Sequence, residues 1–131
     1  MTASAIGVVY VALGGGLGAA LRYGCGLAAS RWIAEPALWS TLFVNVVGSL
    51  AMGLVFGAWG GRFSAEGSNG AILFLAVGLL GGFTTYSSYA LETVRLLQQG
   101  RTVEAGAFAF GTMIMCFAVF TAGVFVTRGA T

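Results

Sequence analysis

The side chains in this sequence that could do chemistry are concentrated in GLLGGFTTYSSYALET, residues 78–93. Two adjacent glycines, four hydroxyls within five residues and two tyrosines three apart interrupt a segment that is otherwise apolar from about 71 to 97. Unpaired backbone groups are costly in lipid, so such an interruption needs a purpose. One possibility is a broken helix whose freed carbonyls hold Na⁺, with electropositive tyrosine ring edges facing an anion. The alternative is a kinked, well-packed helix.

The composition indicates a membrane protein. Of its 131 residues, 58% are hydrophobic and only 8% are charged, whereas a soluble domain has about 25% charged residues. The sequence has no histidine, aspartate or lysine, which argues against an enzyme and against a metal cluster. The net charge of +2 is too small to predict a nucleic-acid partner. Cys25 and Cys116 lie in apolar runs, and we expect them to be small buried side chains.

Four segments are long and apolar enough to cross a bilayer, at about 5–29, 37–61, 71–97 and 103–126. We therefore predict an all-α membrane protein with one four-helix domain over 1–131 and a third helix broken near its middle. Trp39 and Trp59 are separated by roughly 30 Å along a helix, which fits two interfacial aromatic belts. Glycines spaced four apart, including the pairs Gly14/Gly18 and Gly53/Gly57, predict close helix packing.

The arginines give a weak orientation signal. An even number of spans places both termini and the second loop on the same side of the membrane. Arg62 and Arg128 lie on that side, and four arginines lie at or near the opposite side. Those four are Arg22, Arg31, Arg95 and Arg101. A weak bias permits insertion in both orientations and hence an antiparallel dimer, although a single orientation with few charges is the alternative. A compact bundle has little room for an aqueous route, so a pathway is more easily built between subunits.

Several polar residues within the spans admit both a structural and a functional interpretation. Asn45 is either an interhelical hydrogen bonder or a donor on an ion path. Arg22 either extends to the interface or forms an electropositive vestibule. Glu92, the deepest carboxylate, can pair with Arg95 three residues on. Thr112 either bonds its own i−4 carbonyl, as threonines in membrane helices often do, or offers its hydroxyl to an ion.

Three stretches together resemble the Fluc/CrcB family of fluoride channels: GGGLGAALRY (14–23), TLFVNVVGSLAMG (41–53) and GLLGGFTTYSSYALET (78–93). The similarity covers essentially all four spans. It implies a passive, fluoride-selective channel that lowers cytoplasmic fluoride and lies in the cell's inner membrane. It also implies a dual-topology antiparallel homodimer surrounded by lipid, with two pores at the subunit interface and a structural Na⁺ at its centre.

The resemblance also implies roles for individual residues. Backbone carbonyls of Gly81 and Thr84 from both subunits would hold the Na⁺, and Glu92 matches the family's acid after the break. Asn45 matches the pore asparagine, and Arg22 matches the family's arginine. The pore residues expected in this way are Arg22, Asn45, Tyr86, Ser87, Tyr89 and Thr112.

The chain departs from the family pattern at two places. Tyr86 and Tyr89 stand where phenylalanines are usual, and each keeps the positive ring edge while adding a hydroxyl. On the fourth span, Cys116 replaces a usual serine and Phe120 ends the hydroxyl track early. A degenerate subunit of a heterodimeric channel is therefore an alternative, as is a non-transporting membrane subunit. A small four-span drug or cation exporter is a third alternative. Such an exporter would need a carboxylate in the first span, which instead carries Arg22.

Overall fold

The computed structural model describes residues 3–60 and 69–128, and these residues form four helical spans that are long and apolar enough to cross a membrane. The prediction of an all-helical protein with four such spans is confirmed. In chain order the helices are α1 (Ala3–Ala29), α2 (Pro36–Trp59), α3 (Gly70–Ile72), a π-helical segment (Leu73–Leu80), α4 (Gly81–Phe83), α5 (Tyr86–Gln98) and α6 (Thr102–Arg128). The third span, Gly70–Gln98, comprises α3, the π-helical segment, α4 and α5. Arg62 and most of the second loop, used above for orientation, lie outside the described residues.

Local capping determines where several of these helices begin. Pro36 occupies the first turn of α2, where its missing N–H costs no hydrogen bond. The Asn69 side chain accepts from the Ile72 amide at 3.0 Å and caps α3. Between α5 and α6, Gly100 has a φ of 75°, a left-handed conformation that glycine adopts without strain and that lets the chain reverse.

The helices pack in two pairs through glycines. The α1 helix lies along the π-helical segment, and α2 lies along α6. A methyl group added at Gly14 would lie 2.2 Å from the Phe74 carbonyl oxygen, and one added at Gly53 would lie 2.2 Å from that of Phe120. Any larger residue would therefore push the helices apart. The close contact predicted from glycine spacing is confirmed at these two positions.

An ion-pair cluster joins the first and third loops. The Arg101 guanidinium, which follows α5, binds the carboxylates of both Glu35 and Glu104. The hydrogen bond from Arg101 holds the pKa of Glu35 below its ordinary value. The first and third loops therefore lie at the same end of the bundle, as expected for spans that alternate in direction.

The third span is broken near its middle, as predicted, but not at the predicted residues. Gly81 has helical dihedral angles (φ −63°, ψ −38°), so the adjacent glycines do not end the helix. The break is at Thr84 (φ −79°, ψ 159°) and Thr85 (φ −152°, ψ 116°), both of which are extended. Glycine makes a stop possible, but the side chain that contacts the backbone decides its position, and that side chain comes from α2.

Candidate functional site

Asn45 on α2 contacts the break through two hydrogen bonds. Its Nδ2 donates to the Thr85 carbonyl oxygen at 3.0 Å, and the Thr85 amide donates to its Oδ1 at 2.7 Å. The carboxamide thus satisfies both backbone groups of a residue that has left the helix, which lipid could not do. Of the two interpretations given to Asn45, the interhelical one is realised. A primary amide has two N–H donors, so this pairing leaves its second N–H for another partner.

The Thr85 side chain begins the next helix. Its Oγ1 accepts from the Ser88 amide at 3.2 Å, and it lies within hydrogen-bond distance of the Ser87 and Ser88 hydroxyls, at 3.2 and 3.1 Å. Thr84 donates from Oγ1 to the Leu80 carbonyl at 3.0 Å. Hydroxyls therefore satisfy groups freed by the break, as the sequence suggested. Thr85 was not predicted as a site residue, although a threonine three residues before Ser88 is a recognisable N-cap signal.

The break releases backbone carbonyls, among them those of Gly81 and Thr84. In a continuous helix the Thr85 amide would donate to the Gly81 carbonyl, but it donates to Asn45 instead. With a ψ of 159°, Thr84 directs its carbonyl away from the helical ladder. Gly81 is also exposed at the surface of the protomer. Two backbone oxygens, the ligand type that hard cations prefer, thus lie beside the break.

A cavity of about 520 Å³ lies between the break, α2 and α6. It brings together most of the residues predicted to contact an anion. Its wall includes Asn45, Thr84, Thr85, Tyr86, Tyr89 and Thr112. Ser87 is exposed, and its hydroxyl lies 3.2 Å from that of Thr85.

The two tyrosines in this cavity differ in their environments. Tyr86 is 81% exposed, and its ring centroid lies 5.4 Å from that of Tyr89 at a tilt of 41°. Tyr89 packs on the buried Phe108 with centroids 5.7 Å apart, and its hydroxyl donates to the Ala109 carbonyl at 2.8 Å. Tyr89 is thus fixed against α6, while Tyr86 presents most of its surface outside the protomer.

The α6 wall of the cavity is only partly polar. Thr112 is 4% exposed, and its Oγ1 has no hydrogen-bond partner among the described residues. Thr121 instead bonds the Phe117 carbonyl at 2.8 Å, the self-bonding geometry that was one of the two interpretations of Thr112. Cys116 and Phe120 also line the cavity. Cys116 and Cys25 are half-buried rather than fully buried, which corrects the expectation for both.

Arg22 and Glu92 line a second cavity, of about 400 Å³, on the other side of the break. The Arg22 Nε donates to the Gly82 carbonyl at 3.2 Å, so this arginine ties α1 to the helix end before the break. Glu92 is 7% exposed and pairs with Arg95 at 3.0 Å, as predicted from their spacing. Thr85 lines both cavities and so stands between the charged one and the aromatic one.

Comparison with known proteins assigns the chain to a family. Residues 9–124 match the family described as CrcB-like protein, Camphor Resistance (CrcB). The chain is 43% identical over 122 residues to the fluoride-specific ion channel FluC of Hyphomonas neptunium. The aligned residues cover 93% of this chain and 95% of that one. It is 50% identical over 107 residues to a fluoride-specific ion channel FluC of Thermus thermophilus, covering 80% and 82%. It is 40% identical over 131 residues to that of Novosphingobium aromaticivorans, covering 98% of each. With the family match spanning most of its length, this chain, whose third span is broken between two cavities, belongs to the CrcB-like family.

Proposed function

We propose that this protein is a fluoride-selective channel that conducts passively and lowers cytoplasmic fluoride. The observation that carries the proposal is the 520 Å³ cavity at the break, where Asn45, Tyr86, Tyr89 and Thr112 meet. The names of relatives as much as 50% identical support the same ion. These relatives are named as channels, which agrees with the absence of a nucleophile–base pair in the sequence.

The chemistry of the cavity suits a strongly hydrated anion. Fluoride must exchange water for hydrogen-bond donors at each step, and contacts must be weak and numerous enough to release it. The Asn45 amide keeps one N–H beyond its bond to Thr85, and Thr112 keeps its hydroxyl. Tyr86 and Tyr89 add positive ring edges, which attract an anion without holding it tightly.

The second cavity supplies a vestibule for this path. It contains two guanidinium groups, Arg22 and Arg95, against one carboxylate, Glu92. The net positive charge would raise the local concentration of anions, as charged clefts do. Thr85, which lines both cavities, and the adjacent Ser87 would carry the ion past the break.

We propose further that two copies associate in antiparallel orientation, with a pore on each side of their interface. Non-helical backbone is stable at membrane depth only if protein or a water-filled cavity covers it. Gly81 and Tyr86, which flank the break, are exposed in one protomer, and a second copy would cover them and complete the burial of the break. The weak arginine bias allows both orientations in the cell's inner membrane.

The freed carbonyls of Gly81 and Thr84 fit a structural Na⁺ shared by the two copies. Each copy would contribute two oxygens, the ligand type that hard cations prefer. Such a cation would neutralise the negative ends of two broken helices at the subunit contact. The donor set is suitable because the Thr85 amide, which would normally occupy the Gly81 carbonyl, is bound by Asn45.

Ion efflux from liposomes containing the purified protein tests the function. We expect rapid, voltage-driven loss of fluoride and negligible loss of chloride from vesicles loaded with each salt. Protein-free vesicles and vesicles containing the Asn45→Leu variant are the controls. Chloride loss as fast as fluoride loss would overturn the assignment, and so would fluoride loss no faster than from protein-free vesicles.

A further inference from the structure

Thr112 differs from four other threonines of the spans. Thr84, Thr93, Thr121 and Thr127 each donate to the carbonyl four residues earlier, at 2.8–3.0 Å. The Thr112 hydroxyl makes no hydrogen bond within the described part of the chain, although its oxygen is buried. A buried polar group without a partner is unfavourable and calls for an explanation.

The explanation lies in the neighbouring carbonyl groups. A helical threonine can turn its hydroxyl towards either the i−3 or the i−4 carbonyl. For Thr112 the i−3 carbonyl belongs to Ala109, and the Tyr89 hydroxyl already donates to it at 2.8 Å. A carbonyl oxygen has two lone pairs, and in a helix the amide four residues on uses one of them. Tyr89 therefore fills the remaining acceptor position at Ala109, and the Phe108 carbonyl is the backbone acceptor that is left to Thr112.

The ring of Tyr89 is held in place for this contact. It packs on Phe108, whose carbonyl is the i−4 alternative for Thr112, with ring centroids 5.7 Å apart. Phe108, Leu96 and Ala105 form the small buried core on which Tyr89 rests. The hydroxyl of Tyr89 thus points at the α6 backbone, while Thr112 lines the cavity.

We propose that Tyr89 is a positioning residue whose hydroxyl occupies the Ala109 carbonyl, removes one of the two backbone acceptors within reach of the Thr112 hydroxyl and so favours donation from Thr112 to the transported anion. The inference rests on the proposed function for the identity of that anion. It adds a second role to Tyr89: both tyrosines contribute their rings to the path, and Tyr89 in addition contributes its hydroxyl to α6. A phenylalanine at 89 would keep the ring contact but would give Thr112 a carbonyl to which it can turn back.

A double-mutant cycle on the purified protein tests the coupling. Thr112→Val should slow fluoride efflux by about tenfold, as expected for loss of one hydrogen bond to a charged group. Tyr89→Phe should slow it by about threefold, because only part of the Thr112 population would turn back. The double variant should be no slower than Thr112→Val, since Tyr89 acts through that hydroxyl. If the double variant is slowed by the product of the two single reductions, the two residues act independently and the proposal is wrong.

Thermal unfolding gives a second readout that does not require transport. Thr112→Val should unfold at the wild-type temperature or above, because it removes a buried hydroxyl that has no partner. The matched control is Thr121→Val, which removes a satisfied hydroxyl from the same helix and should leave the efflux rate unchanged. A lower unfolding temperature for Thr112→Val would show that the hydroxyl is satisfied and would refute the proposal.

A crystal structure of Tyr89→Phe separates this proposal from the proposed function. We expect the Thr112 Oγ1 to lie within hydrogen-bond distance of the Ala109 carbonyl in that variant and to face the cavity in the wild type. An unchanged Thr112 rotamer would overturn the coupling even if fluoride transport is confirmed. Absence of fluoride efflux in the wild type, with the rotamer change present, would instead refute the choice of ion.

Discussion

Replacing Asn45 by leucine should destabilise the break and abolish transport together. The substitution removes both hydrogen bonds to Thr85, at 2.7 and 3.0 Å, and leaves one backbone N–H and one carbonyl without their partners. Each unsatisfied buried backbone group costs about 1–3 kcal/mol, so the expected total is about 2–6 kcal/mol. With about 4 °C per kcal/mol for a chain of this size, the unfolding temperature should fall by at least about 8 °C.

Asn45→Asp separates the two bonds from Asn45 to Thr85 from the spare N–H that Asn45 would offer to an anion. In its neutral form the side chain of Asn45→Asp can accept from the Thr85 amide and donate its O–H to the Thr85 carbonyl, but it has no second donor. We expect a smaller loss of stability than with leucine, because the neutral carboxyl, which burial in the membrane favours, keeps both contacts to Thr85. Fluoride efflux should nevertheless fall as far as with leucine, since the neutral carboxyl has no spare donor and the ionised form repels an anion.

The assay combines tryptophan fluorescence during heating in detergent with fluoride efflux from liposomes. The control is Ser49→Ala, which lies one helical turn away on the same cavity wall and leaves both bonds to Thr85 in place. This control should unfold near the wild-type temperature. If Asn45→Leu unfolds at the wild-type temperature, the two bonds do not hold the break, and the reasoning from them is wrong.

Three further predictions concern the aromatic path, the topology and the ion-pair cluster. Tyr86→Phe should retain fluoride efflux while Tyr86→Ile reduces it severely, because the ring edge is the expected contact; equal damage would assign the role to the hydroxyl. A single cysteine at Ser64, in a background without the native cysteines, should react with an impermeant thiol reagent in about half the copies in intact cells; labelling of nearly all or nearly none would contradict dual topology. Because Arg101 lowers the pKa of Glu35 from 4.5, the pair stabilises the fold above that value and is lost as pH falls through the lowered pKa. Glu35→Gln should therefore weaken the fall in unfolding temperature on acidification below about pH 4.5, and an unchanged acid profile would argue against the contact.

The number and kind of spans could be predicted because they depend on composition alone. A segment of about 20 apolar residues has few alternatives to a membrane helix, and the structure has four such spans. Close packing at Gly14 and Gly53 could also be predicted, because spacing by four places small residues on one helix face. The π-helical segment Leu73–Leu80 could not, since its sequence, LFLAVGLL, reads as an ordinary apolar helix.

The position of the break could not be predicted from the residues around it. Gly81 and Gly82 indicate that a helix can stop there, yet both remain helical, and the Gly81 amide still donates to the Ala76 carbonyl. The stop is at Thr84 and Thr85, where a side chain 40 positions earlier binds the backbone. That pairing depends on how α2 lies against the third span, and no spacing rule within either segment describes it.

The candidate site was predictable in its residue types more than in its contacts. The cavity does collect Asn45, Tyr86, Tyr89 and Thr112, whose polar or aromatic groups were unusual for membrane helices. Which of these groups is already paired could not be inferred. Tyr89 and Thr112 are 23 positions apart, and the bond from Tyr89 to Ala109 follows from the packing of α5 on α6.

The break is held by side chains from both preceding helices, and this arrangement relates the two cavities. Arg22 from α1 binds the Gly82 carbonyl before the break, while Asn45 from α2 binds Thr85 within it. Because Thr85 lines both cavities, a shift of either helix would alter the opening between the charged cavity and the aromatic one. Replacing Arg22 should therefore affect ion selection at the aromatic cavity as well as anion entry. Comparison of fluoride and chloride efflux for Arg22→Leu distinguishes these effects: a loss of electrostatic attraction alone would lower the fluoride rate and leave chloride excluded, whereas a displaced break would also admit chloride.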